Sequence, residues 1–311
     1  CLPRLRGMFA FAVWDRLEKA LFLARDRFGL KPLYLWRRPN GLAFASEVRA
    51  LRALPGGPSQ VSRRAVEGYL YWGSVPEPLT ILEGVEALPP ASWLRWKSGD
   101  CTAGRYWTFP AGEPRYRTRD EVLEDLRPAL LEAVRIHCIS DAPLGAFLSG
   151  GIDSSAVVSL MREAGQSKIH TFSISFPGTA LDEAVYAREV ATALETTHEN
   201  IEVGEEMVRG LLDDFFASMD QPTMDGVNTW LVSRLSRQAG LTVALSGLGG
   251  DELFAGYSTH IRVATVSRWA SRLPAAAVSL AALAVSTLSA HRARKLEALS
   301  IHAPSFERGY F

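Results

Sequence analysis

The chain has 311 residues, of which 47% are hydrophobic, and its 34 basic and 34 acidic residues give a formal net charge of zero. This length exceeds the usual size of one domain, so we expect two domains, each with its own hydrophobic core. The zero net charge argues against nucleic acid or an anionic membrane as the main partner, because both select a basic excess.

The chain begins at Cys1 without Met and stops at Phe311 without a terminating pattern, so we expect an internal fragment. By position, Cys1 invites interpretation as an N-terminal nucleophile whose α-amino group serves as the base. The following Leu2-Pro3 gives little access, and we expect no catalytic role for Cys1. Because Cys1, Cys101 and Cys138 are widely spaced and lack metal-type pairing, a reduced cytoplasmic protein is favoured over a disulfide framework.

The first hundred residues carry a β pattern. Apolar runs predict strands covered on both faces, at residues 8–14, 21–25, 33–36 and 42–45. The charged loop between the two strand pairs, residues 25–32, is predicted to be an ion-paired structural turn rather than a catalytic one. Two helices and a closing hairpin are predicted next, at residues 47–54 and 62–72 for the helices, and at 93–96 and 106–107 for the hairpin strands.

Residues 110–119, rich in Pro, Gly and charge, predict a linker between a domain at residues 1–109 and another at 120–311. After an amphipathic helix at 120–140, strands and helices alternate, which predicts an α/β fold with a doubly wound parallel sheet. Ligands of such sheets bind beyond the carboxyl ends of the strands. The apolar stretch at 275–290 contains several Ser and Thr residues, so a buried helix is favoured over a membrane span.

Residues 144–155, Leu-Gly-Ala-Phe-Leu-Ser-Gly-Gly-Ile-Asp-Ser-Ser, predict a strand, a Ser/Gly loop and a helix that begins near Ser154. Glycines let backbone N–H groups approach an anion, and the helix N-terminus adds unpaired N–H groups and a positive dipole end. No Gly-Lys-Ser/Thr ending follows, which excludes the common ATPase loop. Phosphate would repel Asp153 unless a cation lay between them, so this residue implies Mg²⁺. A glycine turn with Asp153 and Ser154 as ordinary caps is the alternative, which the strand–loop–helix context disfavours.

A second Gly-rich loop, residues 246–257, follows the last predicted strand and carries Asp251 and Glu252. Carboxylates from two loops facing one polyphosphate are what Mg²⁺ coordination requires. Ile174, near the end of another predicted strand, stands where an adenine ring could lie. The polar loop at 220–229 is a candidate for substrate contacts, and helix capping explains it equally well.

Residues 5–15, 24–34 and 44–51 resemble the later part of the glutaminase domain of glutamine-hydrolysing asparagine synthetases, and residues 144–155 resemble the pyrophosphate loop of ATP pyrophosphatases. The resemblance implies partial N-terminal-nucleophile-type β layers followed by a truncated ATP-pyrophosphatase domain. In that family the nucleophile is an N-terminal cysteine followed by Gly, so Cys1 matches no catalytic position. The implied ATP contacts are Phe147, Ser149, Gly150, Gly151, Asp153, Ser154, Ser155, Ile174, Ser246 and Gly247, with Asp153 and Asp251 as metal ligands.

The resemblance implies a cytoplasmic ligase that activates a carboxylate, aspartate first among them, as an acyl adenylate, which ammonia from glutamine then converts to an amide. It also allows a homodimer. Family members often carry an acidic residue directly after Ser-Gly in the second loop, where this chain has Leu248. In the family this acidic residue is linked to forming the acyl adenylate. In this chain either Glu252 or another residue takes over that role, or the acceptor is not aspartate, as in β-lactam synthetases or polysaccharide-linked amidotransferases. A non-catalytic nucleotide-binding protein is the third alternative, which the intact acidic loops disfavour.

Overall fold

The computed structural model describes residues 1–38, 41–110, 118–179, 182–257 and 265. The chain divides into two compact units, the first formed by Cys1–Val122 with Val203–Gln238 and the second by Leu123–Glu202 with Ala239–Phe311. The domain boundaries drawn at 110–119 stay a prediction, and the predicted helix at 275–290 lies outside the described residues. None of the helices described is both long and apolar enough to cross a membrane.

The first unit contains two antiparallel sheets. Their strands are β1 (Ala10–Asp15), β2 (Ala20–Arg25), β3 (Tyr34–Arg38), β4 (Gly41–Ala45), β5 (Val85–Ala87), β6 (Ser92–Lys97) and β7 (Asp100–Arg105). The strand orders are β1-β2-β6-β7 in one sheet and β4-β3-β5 in the other. The described helices of the whole chain are α1 (Val48–Arg52), α2 (Arg63–Trp72), α3 (Arg119–His137), α4 (Ile152–Glu163), α5 (Ala184–Ala193), α6 (Glu205–Ser218), α7 (Val227–Gln238) and α8 (Gly250–Phe254).

A leucine core lies between the two sheets of the first unit. Leu23 of β2, Leu35 of β3 and Leu94 of β6 are buried in one cluster, because alternate residues of each strand face the other sheet. Val48 and Leu51 of α1 are buried in a second cluster with residues of β3 and β4. Helix α1 therefore covers the outer face of the three-stranded sheet.

Two sequence expectations for this unit are wrong. Strand β1 is an edge strand whose last four residues are exposed, so its apolar run is not covered on both faces among the described residues. The hairpin partner of β6 is β7, not residues 106–107, because the turn at Ser98 and Gly99 is short and both residues have positive φ, 53° and 96°. Tyr106 follows this strand, and its backbone N–H donates to the carbonyl of Ala91.

The second unit contains a parallel sheet of four strands, β8 (Leu144–Phe147), β9 (His170–Ser175), β10 (Thr197–Glu202) and β11 (Val243–Leu245). The strand order in this sheet is β10-β9-β8-β11. Ala146, Val158 and Met161 pack at the centre of its core, and helices α4 and α5 connect successive parallel strands. The predicted α/β class, with β layers followed by a doubly wound parallel sheet, is confirmed.

Candidate functional site

Strand β8 is the point at which the strand order of the parallel sheet reverses. From β8 the chain proceeds outward to β9 and β10, and then returns to form β11 on the other side of β8. Ligands of open α/β sheets bind in the crevice at such a reversal, outside the carboxyl ends of the strands. The loops after β8 and β11 are the two Gly-rich loops of the sequence.

The first loop, residues 148–151, needs glycine at its centre. Leu148 extends the line of β8, because its N–H donates to the carbonyl of Phe172 across 2.8 Å. Gly150 then turns with φ +83°, and a β-carbon there would lie 2.5 Å from Cβ of Tyr186 and 2.7 Å from the backbone N of Ala187. Both the backbone conformation and the space therefore exclude a side chain at position 150.

Serine hydroxyls hold the first turn of α4. Ser154 and Ser155 donate from Oγ to the carbonyl of Gly151 across 3.2 and 2.7 Å, and Ser149 Oγ lies 3.0 Å from Ser154 Oγ. Helix α4 begins at Ile152, slightly before the predicted start near Ser154, so the first turn contains the acidic residue of the loop. The first N–H groups of a helix lack partners within it, so this end is suited to binding an anion.

Glycines of the second loop bring it against the first turn of α4. A β-carbon at Gly247 would lie 2.8 Å from the backbone N of Ser154 and 3.0 Å from Cβ of Asp153. At Gly250 it would collide with the carboxylate of Asp153, with Oδ1 at 2.9 Å. The absence of side chains at these two positions lets the Asp153 carboxylate lie directly beside the start of α8.

Helix α8 presents the second carboxylate. Gly249 precedes it with φ 97°, and Ala255 ends it in the left-handed conformation, so the loop reverses sharply on both sides. The next residue, Gly256, leaves room for the Asp251 side chain, because a β-carbon there would lie 2.9 Å from Asp251 Cγ and would overlap its Oδ1. The glycine-rich sequence thus shapes the surroundings of both acidic groups.

These loops line one cleft of about 670 Å³. The predicted site residues that line it are Phe147, Ser149, Gly151, Asp153, Ser154, Ser246, Gly247 and Asp251. Three other predicted residues do not line it, Gly150, Ser155 and Ile174. The cleft also includes four residues not chosen from the sequence as nucleotide contacts, Ile152, Leu248, Phe254 and Gly256. Phe254 and Gly256 lie two and four residues after Glu252 in the same Gly-rich loop, which is the sequence signal that could have included them.

Leu248 forms part of the cleft wall and is 87% exposed. Its backbone N–H donates to Ser246 Oγ across 3.2 Å, so the position is held by the loop and its side chain is free to face a ligand. Glu252, the nearest acidic alternative in sequence, is not among the residues lining the cleft and accepts a hydrogen bond from Tyr257 Oη at 2.8 Å. The cleft wall at position 248 is therefore apolar, with no group that exchanges protons.

The donor set fits a hydrated divalent cation bound together with phosphate. Asp153 and Asp251 both line the cleft, whereas the described residues hold no cluster of three or more His, Cys, Asp or Glu side chains suited to a metal. Mg²⁺ commonly takes one or two protein carboxylates and completes its shell with phosphate oxygens and water. Two carboxylates beside a helix N-terminus match that pattern better than a closed protein cage.

The polar loop at 220–229 has structural partners. The Asp220 carboxylate accepts hydrogen bonds from the N–H groups of Val48 and Arg49 across 2.7 and 2.8 Å, which caps α1. Gln221 Oε1 accepts from the Ile81 N–H across 2.8 Å. Both side chains thus stabilise the first unit. The capping alternative expected Asn228 or Thr229 to cap the helix that follows, whereas α7 already begins at Val227 and the cap is instead supplied by Asp220 to α1. Cys1 is an exposed free thiol.

Comparison with known proteins identifies the family. The profile of the family described as Asparagine synthase matches residues 125–308, more than half of the chain, and the profile described as Glutamine amidotransferase domain matches residues 1–107. The chain belongs to the asparagine synthase family. This confirms the resemblance drawn from the sequence motifs.

Individual relatives of this asparagine synthase family member are similar along most of its length. A provisionally named glutamine-hydrolysing asparagine synthetase 2 of Methanocaldococcus jannaschii is 36% identical over 84% of this chain and 52% of its own. Glutamine-hydrolysing asparagine synthetase 1 of Bacillus subtilis is 35% identical over 83% of this chain and 40% of its own. The chain therefore spans about half the length of these relatives or less.

Among solved structures, the NH3-dependent NAD synthetase of Campylobacter jejuni is matched at 18% identity with a TM-score of 0.27, over 41% of this chain and 56% of that one. A likeness at this level carries no argument about the site.

Proposed function

We propose that this member of the asparagine synthase family uses ATP to activate a carboxylate, aspartate in the first instance, as an acyl adenylate. Pyrophosphate leaves in this step, and ammonia derived from glutamine then converts the adenylate to an amide. We place the reaction in the cytoplasm, with Mg²⁺ as the metal and a homodimer as the expected assembly. The names of the relatives and the match of residues 1–107 to a glutamine amidotransferase domain support glutamine as the nitrogen source.

One observation carries the proposal: two Gly-rich loops with a carboxylate each converge on one cleft at the strand-order reversal of a parallel sheet. A carboxylate in an anion-binding loop repels the bound anion unless a cation lies between them. Asp153 and Asp251 come from different loops, and both line this cleft. A polyphosphate with its cation satisfies both features at once.

The residues of the chain have distinct roles in this reaction. The first-turn N–H groups of α4 and the N–H groups of the Gly-rich loops bind the phosphates that become pyrophosphate. Asp153 and Asp251 hold the cation, which when bound neutralises charge that develops on the leaving group. Ser149 and Ser154 keep the loop in its binding shape through their mutual hydrogen bond. The site aligns the attacking carboxylate with the α-phosphorus. Such positioning accounts for much of the rate of transfers of this kind.

A different acceptor carboxylate is the second candidate, and Leu248 favours it. An exposed leucine in the cleft wall cannot act as a general base, although it offers an apolar contact to a larger or less charged substrate. The non-catalytic alternative predicts nucleotide binding without turnover.

The decisive experiment is ATP–pyrophosphate exchange with aspartate and with a panel of other carboxylates. We expect exchange that depends on one of these acceptors, and its loss by at least about 100-fold in Asp153→Asn and Asp251→Asn, since such charge stabilisation contributes on this scale. Asp213→Asn, which changes an exposed carboxylate on α6, is the matched control and should keep full exchange. Near-normal exchange in either cleft variant would remove that residue from the metal site. Binding of Mg-ATP without exchange for any acceptor would favour the non-catalytic alternative.

A further inference from the structure

A row of buried polar side chains joins β9 to β10. Thr171, Ser173 and Ser175 alternate along β9 and are at most 6% exposed. From β10, the imidazole of His198 lies between two of them, with Nδ1 3.0 Å from Thr171 Oγ1 and Nε2 3.3 Å from Ser173 Oγ. Asn200, two residues further along β10, continues the row toward the carboxyl end of the sheet.

The amide of Asn200 determines which atom donates in each of these bonds. Its Oδ1 accepts the hydrogen of Ser173 Oγ across 2.8 Å, and its Nδ2 donates to Ser175 Oγ across 2.9 Å. Because Ser173 has a single hydroxyl hydrogen, it must accept from Nε2–H of His198. A neutral imidazole protonated on Nε2 accepts at Nδ1, so Thr171 donates there.

The hydrogen bonds consequently run in one direction along the row. Thr171 has used its hydrogen, so Thr196 Oγ1, 2.8 Å away, donates to it in preference to the Ala191 carbonyl at 3.5 Å. The series begins at Thr196 and ends at Ser175, the last residue of β9. A second proton on His198 would oppose the hydroxyl hydrogen of Thr171 and break the series at its centre.

The surroundings of His198 keep its imidazole neutral. Burial lowers the pKa of His198 and the positive charge of Arg188 on α5 lowers it further, whereas a hydrogen bond with the backbone of Thr171 raises it in part. The groups that face the ring from β9, Thr171 and Ser173, are uncharged hydroxyls, and its neighbours in the row on the β10 side, Thr196 and Asn200, are also uncharged.

The row also fixes how β9 lies beside its neighbours. In the parallel register Thr171 pairs with His198 and Ser173 with Asn200, and a shift of two residues would place donors and acceptors out of order. Phe172 and Ile174 occupy the alternate positions of β9, on its other face. On that strand's other edge Phe172 pairs with Phe147, the last residue of β8 before the first Gly-rich loop.

We propose that His198 is a positioning residue, a neutral imidazole protonated on Nε2 that holds the carboxyl end of β9 in register, and with it the pairing of Phe172 with Phe147, which lines the nucleotide site. The effect on nucleotide binding rests on the proposed function, whereas the order of the hydrogen bonds does not.

The first test is independent of ATP. Nitrogen-15 NMR of the imidazole rings, assigned with His198→Gln, should show His198 as the Nε2–H form at pH 7 and still neutral when an ordinary histidine, with a pKa of about 6.5, is half protonated. The Nδ1–H form, or ordinary titration, would overturn the proposal whatever the activity of the protein.

The second test measures the Michaelis constant for ATP in the exchange reaction. His198→Leu should raise it about tenfold, the effect of losing roughly one hydrogen bond of positioning energy, with a smaller effect on kcat. His198→Gln can donate and accept, so it should recover most of the affinity. His170→Leu, which changes an exposed histidine at the start of the same strand, should leave both constants unchanged.

The pH dependence separates positioning from a general loss of folding. ATP affinity of the native protein should hold through about pH 6.5 and fall only as the pH approaches the lowered pKa of His198, whereas His198→Gln should lack this decline. Unchanged Michaelis constants in His198→Leu, or no recovery in His198→Gln when circular dichroism shows both folded, would overturn the proposal. Absence of exchange in the native protein would instead count against the proposed function, and the NMR result would still decide the role of His198.

Discussion

Arg25 shows how the first unit uses a buried charge. Its side chain is 4% exposed, and all three guanidinium nitrogens donate. Glu77 accepts two of these bonds at 2.9 Å each, and the backbone carbonyls of Gly29, Lys31 and Leu88 accept the others.

The adjacent Asp26 carboxylate organises the rest of the turn. It accepts hydrogen bonds from four backbone N–H groups, those of Phe9, Phe28, Leu30 and Lys31. The charged loop at residues 25–32 is thus the structural turn that its sequence predicted.

Replacing Arg25 with Lys should destabilise the first unit by about 2 kcal/mol. Lysine keeps the charge but cannot form the planar, forked pairing, so buried carbonyls lose their partners. Urea unfolding followed by tryptophan fluorescence measures the change. Arg63→Lys, at a pair whose arginine is 93% exposed, is the control and should leave the transition in place. An unchanged unfolding transition for Arg25→Lys would show that the loop keeps its conformation without the forked guanidinium pairing.

Leu248 gives a prediction about the acceptor. If an acidic group at this point takes the proton that ammonia loses when it opens the aspartyl adenylate, the native protein should form asparagine slowly from aspartate, since a missing general base costs about 10²- to 10⁴-fold. Another carboxylate should then be the better substrate. Leu248→Glu should accelerate the aspartate reaction if the acceptor pocket fits aspartate. Fast release of pyrophosphate by the native protein, coupled to asparagine formation, would contradict this prediction.

At the scale of elements, α1 depends on a residue far along the chain. Its N-cap position is Glu47, whose side chain makes no capping bond, and the first two N–H groups are instead taken by Asp220. Asp220 also acts on Tyr34, where burial raises the pKa of the phenol and the negative charge of Asp220 raises it further. Helix α1 is therefore stabilised at its N-terminus by charge supplied from the segment before α7.

Asp220→Ala should lower the free energy of unfolding of the first unit by about 1–2 kcal/mol, because it removes a cap that serves two N–H groups. Chemical denaturation measures this, and hydrogen exchange at Val48 and Arg49 should accelerate with it. Asp225→Ala changes an exposed carboxylate of the same loop and should have no comparable effect. Equal effects of the two substitutions would mean that loop composition, rather than the cap, determines stability.

Sequence patterns predicted most strands and helices because apolar periodicity reports burial directly. They missed β5, which has only three residues, and α8, which has five, since neither is long enough to establish a period. They misplaced the partner of β6 because a two-residue turn with positive φ does not require the usual Asn-Gly signature. The cap from Asp220 could not be predicted at all, because its partners lie 171 and 172 residues away.

At the scale of the whole molecule, the site follows from topology. The loops at 148–151 and 246–249 are about a hundred residues apart in sequence, and they meet because β8 and β11 are parallel neighbours in the sheet. A parallel α/β pattern is sufficient to predict that such loops share an edge, so most of the residues that line the cleft could be chosen from sequence. The buried row around His198 could not, because alternate small polar residues on a strand resemble a solvated face until the neighbouring strand and helix are known.

The division of the chain has a consequence for how such proteins can be recombined. The polypeptide crosses between the two units at three points, between residues 122 and 123, 202 and 203, and 238 and 239. A gene fusion that exchanged only the first 122 residues for those of a relative would leave α6, α7 and the loop with Asp220 matched to the wrong partner. A successful chimaera therefore needs residues 203–238 and the N-terminal segment from the same parent protein, although the two segments are separated in the gene.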